Sequence, residues 1–430
     1  MQAATYYIGP NGNDALTGTS VAEAWADFGA AWTVLQPGDT LILLDGVYTQ
    51  PLEPNGRNGT AEEPITIRAQ HDGQVTIDGE DVRIPVHLYR DYYVIEGITA
   101  RNGNHTVYFI SGSHNTLRRV SGYDANPDVN SDVFAIYDSH DNLLEDCIAA
   151  GTGRKMIMIY RGGNNTIRRC FADWRSWDGR DWCDDWPWGD NIQIYNSDYN
   201  IIENSIGYGS VPVWSIAVQA NAPYVSAIGN QVLGSISIFA GMNHDSTVKH
   251  WPAARPQPTE CTQLRDFGWP SQRAGFAIYG NGVIRDNLFR DIFAWGSAGL
   301  GLTAILDGEH ANNRIEYVTL LNNGLDNPEW WGGIGAEWRA EEEYLWDQRS
   351  ELWVEGVDES GIGARLDTRY ENGLLTDIPL WPWPMEERIQ AELGLSPTIL
   401  INSIRAQWEA VAKPVIPFIR DGVFVAPLLD

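Results

Sequence analysis

NTIRRC, residues 165–170, repeats the pattern of NLLEDC, residues 142–147. Both begin with asparagine, place an apolar residue third, continue with two charged residues and end in cysteine. A wider set follows a looser pattern, in which most members have Asn or Gly first, then an apolar pair or Thr and an apolar residue, then two polar residues, and a small or apolar residue last: YVIEGI (93–98), NTLRRV (115–120), NIIENS (200–205), GVIRDN (282–287) and NRIEYV (313–318). A period of about 22–30 residues, built of short strand-like segments and Gly/Asn/Asp turns, predicts a solenoid of parallel strands.

The charged positions of these segments give a test of register. Their alignment places residues of alternating sign in one column: Glu96, Arg118, Glu145, Arg168 and Glu203, with Arg285 and Glu316 further on. Stacked coils lie about 4.8 Å apart, and opposite charges across that gap attract. We therefore expect neighbouring coils to pair in this register.

A second strand-like segment precedes each of these. Alternation predicts inward stacks of Val107/Phe109, Phe134/Ile136, Ile157/Ile159, Ile192/Ile194 and Ile216/Val218, with Tyr108, Ala135, Met158 and Gln193 outside. The sequence thus predicts an all-β fold, a right-handed parallel β-helix.

Both ends of the chain depart from the repeat. Residues 21–35 have helical periodicity and predict a cap on the open edge of the first coil. The repeat is expected over 1–325, and 326–430 is expected to be a C-terminal extension with helices near 385–393 and 399–411, packing on or capping the solenoid. Two insertions, near 171–189 and 242–272, interrupt the coils; a bridge between Cys183 and Cys261 is expected there.

The charge of the chain limits its partners. The net charge is −28, from 29 basic and 57 acidic residues. Nucleic acid and anionic membranes are not expected as partners, because their phosphates would be repelled. No apolar run approaches the ~18 residues of a membrane span. We expect a secreted, extracellular protein whose signal peptide is absent from this chain; a phage particle component is the alternative.

The N-terminal segments resemble those of a known group. YYIGPNGNDALTG, QPGDTLILLDGVYT and EPITIRAQHDGQVTIDG are similar to the first coils of secreted right-handed β-helix proteins of the pectate-lyase-like (polysaccharide lyase) superfamily. The resemblance covers roughly residues 5–320. It implies the fold, and it implies an acidic polysaccharide as the substrate class, although β-helices also serve as hydrolases, epimerases and tailspikes.

Lysine is rare in this chain, and Lys155 stands at a notable place. Asp132, Lys155 and Asp190 each lie ten residues before the asparagine of a repeat segment, so they form a further column at the start of a strand. One interpretation is a base held between carboxylates. The other is one more alternating charge column with a structural role.

The loop before Asp132 has the composition of a calcium site. In DANPDVNSD (124–132), the oxygen-bearing side chains come at every second position: Asp124, Asn126, Asp128, Asn130 and Asp132. Calcium takes about six to eight oxygen ligands, and loops of this kind supply them. Asp190, from a second acidic group, could complete the site. A polar turn without a metal is the alternative.

Calcium and lysine together match a chemistry that the resemblance implies. Some lyases of this fold use Ca²⁺ to neutralise a uronate carboxylate and a lysine or arginine to remove the adjacent proton. Lysine must be neutral to act as the base, against an ordinary pKa of about 10.4. Lys155 is the expected base, with Arg154 or Arg161 holding the substrate carboxylate.

Aromatic residues suggest where a sugar would stack. Five tryptophans crowd the first insertion, which also holds Arg175, and one follows on the next coil. Those taken as substrate-binding residues are Trp174, Trp177, Trp186, Trp188, Trp214 and Arg175. Packing of the insertion onto the solenoid is the alternative.

Two other functions stay open from the sequence. Asp184, Asp185 and Asp190 could supply the acid/base pair of a glycoside hydrolase. A non-catalytic structural or carbohydrate-binding protein would instead self-associate, need no metal and be insensitive to loss of Lys155.

Overall fold

The computed structural model describes residues 3–126, 129–174, 189–210, 214–240, 274–297, 301–317, 319–321, 353–355, 366–410, 418–420 and 423–425. These residues fall into two compact units, one containing the described residues up to 174 and the other those from 189 onward. Each unit is built from strands of three parallel sheets, A, B and C, and successive coils extend these sheets. The predicted fold class is confirmed.

The first unit contains seven strands of sheet A, six of sheet B and four of sheet C. Sheet A has β1 (Thr5–Ile8), β2 (Thr40–Leu43), β4 (Ile65–Ala69), β7 (Tyr93–Glu96), β10 (Thr116–Arg118), β13 (Leu143–Glu145) and β16 (Thr166–Arg168). Sheet B has β3 (Gly46–Tyr48), β5 (Val75–Asp78), β8 (Ile98–Arg101), β11 (Ser121–Tyr123), β14 (Ile148–Ala150) and β17 (Phe171–Asp173). Sheet C has β6 (Val86–Leu88), β9 (Tyr108–Ile110), β12 (Asp132–Tyr137) and β15 (Lys155–Tyr160).

The second unit repeats this plan. Its sheet C has β18 (Asp190–Tyr195), β21 (Ile216–Ala220), β25 (Phe276–Gly280) and β29 (Leu302–Leu306). Sheet A has β19 (Ile201–Glu203), β23 (Gln231–Leu233), β27 (Leu288–Arg290), β31 (Arg314–Glu316) and β33 (Trp353–Glu355), and sheet B has β20 (Ile206–Ser210), β24 (Ile236–Ala240), β28 (Phe293–Trp295) and β32 (Thr319–Leu321). A small fourth sheet has β22 (Ser226–Ile228), β26 (Val283–Arg285) and β30 (His310–Ala311).

Helices lie at the two ends of the chain. A 3₁₀ turn at Val21–Glu23 precedes α1 (Phe28–Val34), whose first turn is capped by the Asp27 side chain, which accepts a hydrogen bond from the Gly29 N–H at 2.6 Å. Near the C-terminus follow the antiparallel hairpin β34 (Arg369–Glu371)–β35 (Leu374–Thr376), the helices α2 (Glu386–Leu393) and α3 (Pro397–Ala410), and the hairpin β36 (Phe418–Arg420)–β37 (Val423–Val425). The cap and both C-terminal helices are as predicted. The expected boundary at 325/326 and the Cys183–Cys261 bridge lie outside the described residues. Within those residues, no helix is long and apolar enough to cross a bilayer.

The asparagine that opens the repeat has a structural cause. Asn115, Asn142 and Asn165 are fully buried in the turn between sheets C and A. The side-chain carbonyl of Asn142 accepts a hydrogen bond from the Asn115 N–H at 2.9 Å, and that of Asn165 accepts one from the Asn142 N–H at 3.0 Å. A buried backbone N–H left without an acceptor is costly, so this side-chain ladder fixes the asparagine at each coil.

The charge register is confirmed in the first unit and corrected in the second. Arg118 lies opposite both Glu96 and Glu145, and Glu145 lies opposite Arg168. The expected place of Arg285 is wrong: it lies in β26, and Arg290 faces Glu316 instead. The cause is that the segment GVIRDN was aligned from Gly282. Asn287 is the buried ladder residue of that coil, so the sheet A strand follows it rather than preceding it.

Sheet C also corrects one predicted register. Tyr108, expected outside, is fully buried and stacks on Phe134 with ring centroids 4.4 Å apart, whereas Phe109 lies opposite Ala135 and is half-buried. Four apolar residues in a row carry no alternation signal, so the stacking partner decides which ring turns inward. Ala135 and Met158 are 0% and 2% exposed, so this part of the outer face is covered.

Candidate functional site

Lys155 and Asp132 lie directly opposite each other at the start of sheet C. They are the first residues of β15 and β12, and the two strands pair in parallel register from that point. The backbone N–H groups of Arg154 and Lys155 both donate to the Ser131 carbonyl, at 2.8 and 3.2 Å, which fixes the neighbouring coils at this point. Both side chains are buried, with 3% exposure for Lys155 and none for Asp132. We call these two residues the buried pair.

The carboxylate of Asp132 has an unusual set of contacts. Its Oδ2 accepts a hydrogen bond from the Tyr137 hydroxyl at 2.7 Å, and its Oδ1 is buried without a hydrogen-bond donor among the described residues. Burial, together with the negative charge and hydrogen bond of Asp132, raises the pKa of Tyr137 well above its ordinary value. Tyr137 therefore stays a neutral donor, and one carboxylate oxygen is left to receive a proton donor or a cation.

The loop that leads to Asp132 uses its oxygens in several ways. Asp124 is exposed and its Oδ1 accepts a hydrogen bond from the Thr152 N–H at 3.2 Å. The Asn130 side-chain carbonyl accepts one from Arg154 Nη1 at 2.7 Å. Asp128 lies outside the described residues. Asp124 and Asn130 thus each use one oxygen in a hydrogen bond, and the role of the loop in holding a cation stays a prediction.

The two candidate arginines stand at opposite ends of β15. Arg154 is half-buried beside Lys155, whereas Arg161 is exposed just after the strand. Arg161 forms an ion pair with Asp138 at 2.6 Å, and its guanidinium lies 4.8 Å from the centre of the Tyr160 ring. Only Arg154 is next to the buried pair, so it is the better placed of the two to contact a substrate bound there.

Sequence reasoning missed a row of rings on sheet C. His87, Phe109, Tyr137 and Tyr160 succeed one another across four coils, with centroid distances of 5.1, 5.6 and 5.2 Å. All four are half-buried. The available signal was the tyrosine that ends both β12 and β15, since equivalent positions of successive coils stack. This row leads to the buried pair through the hydroxyl of Tyr137.

The two candidate tryptophans that lie within the described residues are buried. Trp174, in the first unit, is 4% exposed; Trp214, in the second, is 1% exposed and packs with Ala217, Ala274 and Ala277. This burial agrees with the packing alternative, because an exposed ring face is needed to stack on a sugar. Trp177, Trp186, Trp188 and Arg175, together with Asp184 and Asp185, lie outside the described residues.

Asp190 belongs to the second unit. It is the first residue of β18 and is 2% exposed, and its Oδ1 accepts a hydrogen bond from the Trp214 N–H at 3.2 Å. Its position at a strand start agrees with the predicted ten-residue offset. Its contribution to a metal site stays a prediction.

The charge column of sheet A is satisfied in a different way. We call Glu96, Arg118, Glu145 and Arg168 the sheet A column. The carboxylate of Glu145 forms ion pairs with Arg118 Nε at 2.7 Å, Arg168 Nη1 at 3.1 Å and Arg169 Nη2 at 2.9 Å. Burial acts to raise the pKa of Glu145, but the hydrogen bond from Arg118 and the charges of the three arginines hold it below its ordinary value. This column is a structural ion-pair network.

Comparison with known proteins agrees with this architecture. Residues 6–211 match the family model described as the Pel9A-like, right-handed β-helix region. The match covers a little under half of the chain and agrees with the parallel β-helix of the first unit. The matched region contains the buried pair and the whole sheet A column.

Two curated proteins that are similar to this chain are pectate lyases by name. Pectate lyase L of Dickeya dadantii (strain 3937) and pectate lyase L of Dickeya chrysanthemi are each 25% identical over 260 residues, which is 54% of this chain and 57% of each relative. The match therefore spans a little over half the length of these relatives. A solved structure named rhamnogalacturonan lyase has a TM-score of 0.55 at 15% identity and covers 90% of this chain and 98% of its own. This last likeness shows the fold.

Proposed function

We propose that this protein is a polysaccharide lyase that cleaves an acidic, uronate-containing polymer by β-elimination, with Lys155 as the base. The observation that carries the proposal is the buried pair: a lysine and an aspartate face each other at a strand start, and the aspartate keeps one oxygen without a hydrogen-bond donor. The Pel9A-like match and the names of the two relatives support the reaction class.

The reaction assigns a defined task to each side chain. Neutral Lys155 takes the proton from the carbon next to the uronate carboxylate. The electrons of that C–H bond form a carbon–carbon double bond, the glycosidic C–O bond on the adjacent carbon breaks, and the leaving oxygen takes up a proton from water. Charge develops on the uronate carboxylate during this step, so Arg154, the arginine next to the buried pair, is assigned to bind it.

Burial and charge act on Lys155 in opposite directions. Removal from water disfavours an ammonium group, which favours the neutral base. The facing carboxylate of Asp132 favours the ammonium form. The pair thus acts as a base only when the charge of Asp132 is offset by another cation.

The residues present fit a calcium ion for this purpose. The uncommitted Oδ1 of Asp132 is a hard oxygen donor of the type calcium prefers. Asp132, Asp124 and Asp128 are assigned to hold the ion. When bound, the ion supplies positive charge that neutralises carboxylates of the protein and of the substrate.

The charge of the chain bears on the substrate. At −28, the protein repels a polyanion unless local cations receive it. Arg154 and a bound ion would supply these cations beside the buried pair, and Arg161 would supply another at the opposite end of β15. We therefore assign an extracellular uronate polysaccharide as the substrate and no nucleic acid as a partner.

The direct test is the ultraviolet absorbance of unsaturated uronate products. Pectate, alginate and glycosaminoglycans would each be incubated with the protein, with calcium or with a chelator. We expect a calcium-dependent signal on one polymer class. Lys155→Met should lower kcat by about 10²–10⁴-fold, which is the contribution of a positioned base.

A second variant separates the base from the metal. Asp132→Asn should raise the calcium concentration needed for half-maximal activity, whereas Lys155→Met should leave that concentration unchanged. Calcium-dependent absorbance that persists in Lys155→Met would remove Lys155 as the base. New reducing ends without absorbance would indicate hydrolysis, and no product from any polymer would indicate a non-catalytic binding or structural protein.

A further inference from the structure

A second cluster of metal-ligating side chains lies away from the buried pair. His114, His140 and Asp141 occupy the turn between sheets C and A in two successive coils of the first unit. One ligand atom from each lies within 4.8 Å of those from the other two. Among the described residues, this is the one group of three histidine, cysteine or acidic side chains with that geometry.

The carboxylate stands close to both imidazoles. Asp141 Oδ2 is 2.7 Å from His140 Nδ1 and 3.8 Å from His114 Nδ1. The two rings are 5.3 Å apart and nearly perpendicular, at 89°. Two ligands on one tetrahedral ion at metal–ligand distances of about 2.1 Å are about 3.4 Å apart. The carboxylate-to-imidazole distances bracket that value, so small side-chain rotations suffice to bring the three donors around an ion.

The backbone of this turn is held by the coils. The His114 N–H donates to the His140 carbonyl at 3.0 Å, and the Asp141 N–H donates to the Gly163 carbonyl at 3.1 Å. The ring of Tyr92 stacks on His114, with centroids 4.5 Å apart and planes 5° from parallel. His114 and Asp141 have the left-handed φ values of 59° and 58°, at equivalent places in their coils. The backbone positions of the three ligand residues are therefore set by the solenoid before any ion binds, which lowers the ordering cost of binding.

We propose that His114, His140 and Asp141 form a binding site for a transition-metal dication such as Zn²⁺. Imidazole nitrogen is a good ligand for zinc, copper and nickel, whereas calcium and magnesium take oxygen donors. Three protein ligands leave a coordination position for water, since the cluster is at the surface. The ion would link two successive coils, and the site is independent of the proposed calcium chemistry at the buried pair.

The test is zinc binding by the full chain with calcium in excess. Calorimetric titration of metal-stripped protein should show a zinc site that calcium does not compete for. His114→Gln and His140→Gln should each weaken it by at least about 100-fold, because loss of even an outer-shell partner costs about 10–100-fold. Cobalt in place of zinc should give the visible absorption of a four-coordinate ion, and both variants should lose it.

His71 provides the matched control. Its Nδ1 lies 2.8 Å from Asp45 Oδ2, much as His140 contacts Asp141, but it belongs to no three-ligand group in the described part of the chain. His71→Gln should bind zinc as the unchanged protein does. Zinc binding that is intact in His114→Gln and His140→Gln, or equally weakened in His71→Gln, would overturn the proposal. Melting curves without metal identify any variant that fails to fold, and Asp141→Asn then replaces it as the test.

Discussion

The sheet A column and the buried pair are two stacks of alternating charge in the same coils, and they differ in how the charges are satisfied. In sheet A, the carboxylate of Glu145 receives three arginines at 2.7–3.1 Å. At the start of sheet C, the carboxylate of Asp132 accepts a hydrogen bond from a tyrosine and makes no ion pair within the described residues, although Lys155 lies directly opposite. The same pairing of coils thus gives a salt-bridge network at Glu145 in sheet A but no salt bridge to Asp132 in sheet C within the described residues.

This difference bears on the two interpretations that the sequence left open for Lys155. A structural charge column has its carboxylates fully paired, as in sheet A, because a buried carboxylate without compensation is costly. The buried pair does not meet that description. A carboxylate kept partly uncompensated is instead typical of a site that awaits a ligand.

The largest contrast should come from two substitutions: one of an arginine that pairs with Glu145 of the sheet A column, and one of the lysine of the buried pair. Arg169→Met removes a guanidinium that bonds Glu145 at 2.9 Å and Asp146 at 2.6 Å, so it should cost about 3–5 kcal/mol in the free energy of unfolding and leave kcat nearly unchanged. Lys155→Met should do the reverse. It should abolish most lyase activity and cost less than half as much stability, since Met keeps the apolar stem and Asp132 loses no ion pair.

Urea unfolding and product absorbance, measured on both variants, check this contrast. Arg161→Gln serves as a control in an exposed ion pair: it should leave the unfolding midpoint nearly unchanged and raise KM severalfold. If Lys155→Met and Arg169→Met lose stability equally and activity in proportion to it, both columns are structural and the comparison fails.

The pH dependence of the free energy of unfolding should test whether Glu145 of the sheet A column is stabilised as a carboxylate. The pKa of Glu145 is lowered in the folded protein, so its contribution to stability is present above the unfolded value, near 4.5, and is lost as the pH falls through the folded value. Glu145→Gln should therefore reduce the slope of unfolding free energy against pH below 4.5 by up to about 1.4 kcal/mol per pH unit. An unchanged slope would show that Glu145 is not preferentially ionised in the folded state.

Much of this architecture is predictable from the sequence because, in a solenoid, the spacing between repeats determines which residues of neighbouring coils lie opposite each other. The ten-residue offset before each ladder asparagine placed Lys155 opposite Asp132, and the charge alternation placed Arg118 between two glutamates. Prediction failed where the signal was degenerate. The segment GVIRDN was aligned from Gly282, although its last residue, Asn287, holds the ladder position. Tyr108 and Phe109 competed for one inward position.

The spacing of the repeats does not predict which side-chain atoms form hydrogen bonds. Tyr137 lies five residues from Asp132, and its hydroxyl reaches back to that carboxylate only because of the local backbone path. The grouping of His114 with His140 depends on turn residues in left-handed conformations, where no strand periodicity applies. Sequence thus predicts which residues are neighbours across coils, and the structure adds which atoms they use.

The smallest expected effect concerns the tyrosine that distinguishes the buried pair. Tyr137→Phe removes the hydrogen-bond donor of Asp132 Oδ2, leaving a buried carboxylate oxygen unsatisfied, at a cost of about 1–3 kcal/mol in unfolding free energy. Calcium should restore part of this loss, because a bound ion would compensate the unsatisfied carboxylate of Asp132. Tyr108→Phe is the matched control: it removes a buried hydroxyl that donates to the backbone carbonyls of Ile98 and Ser121, at 3.1 and 3.2 Å. Thermal unfolding of both variants with calcium and with a chelator should show rescue for Tyr137→Phe alone. Equal rescue of both would mean that calcium stabilises the coils elsewhere, and Asp132 would then lose its place as a ligand.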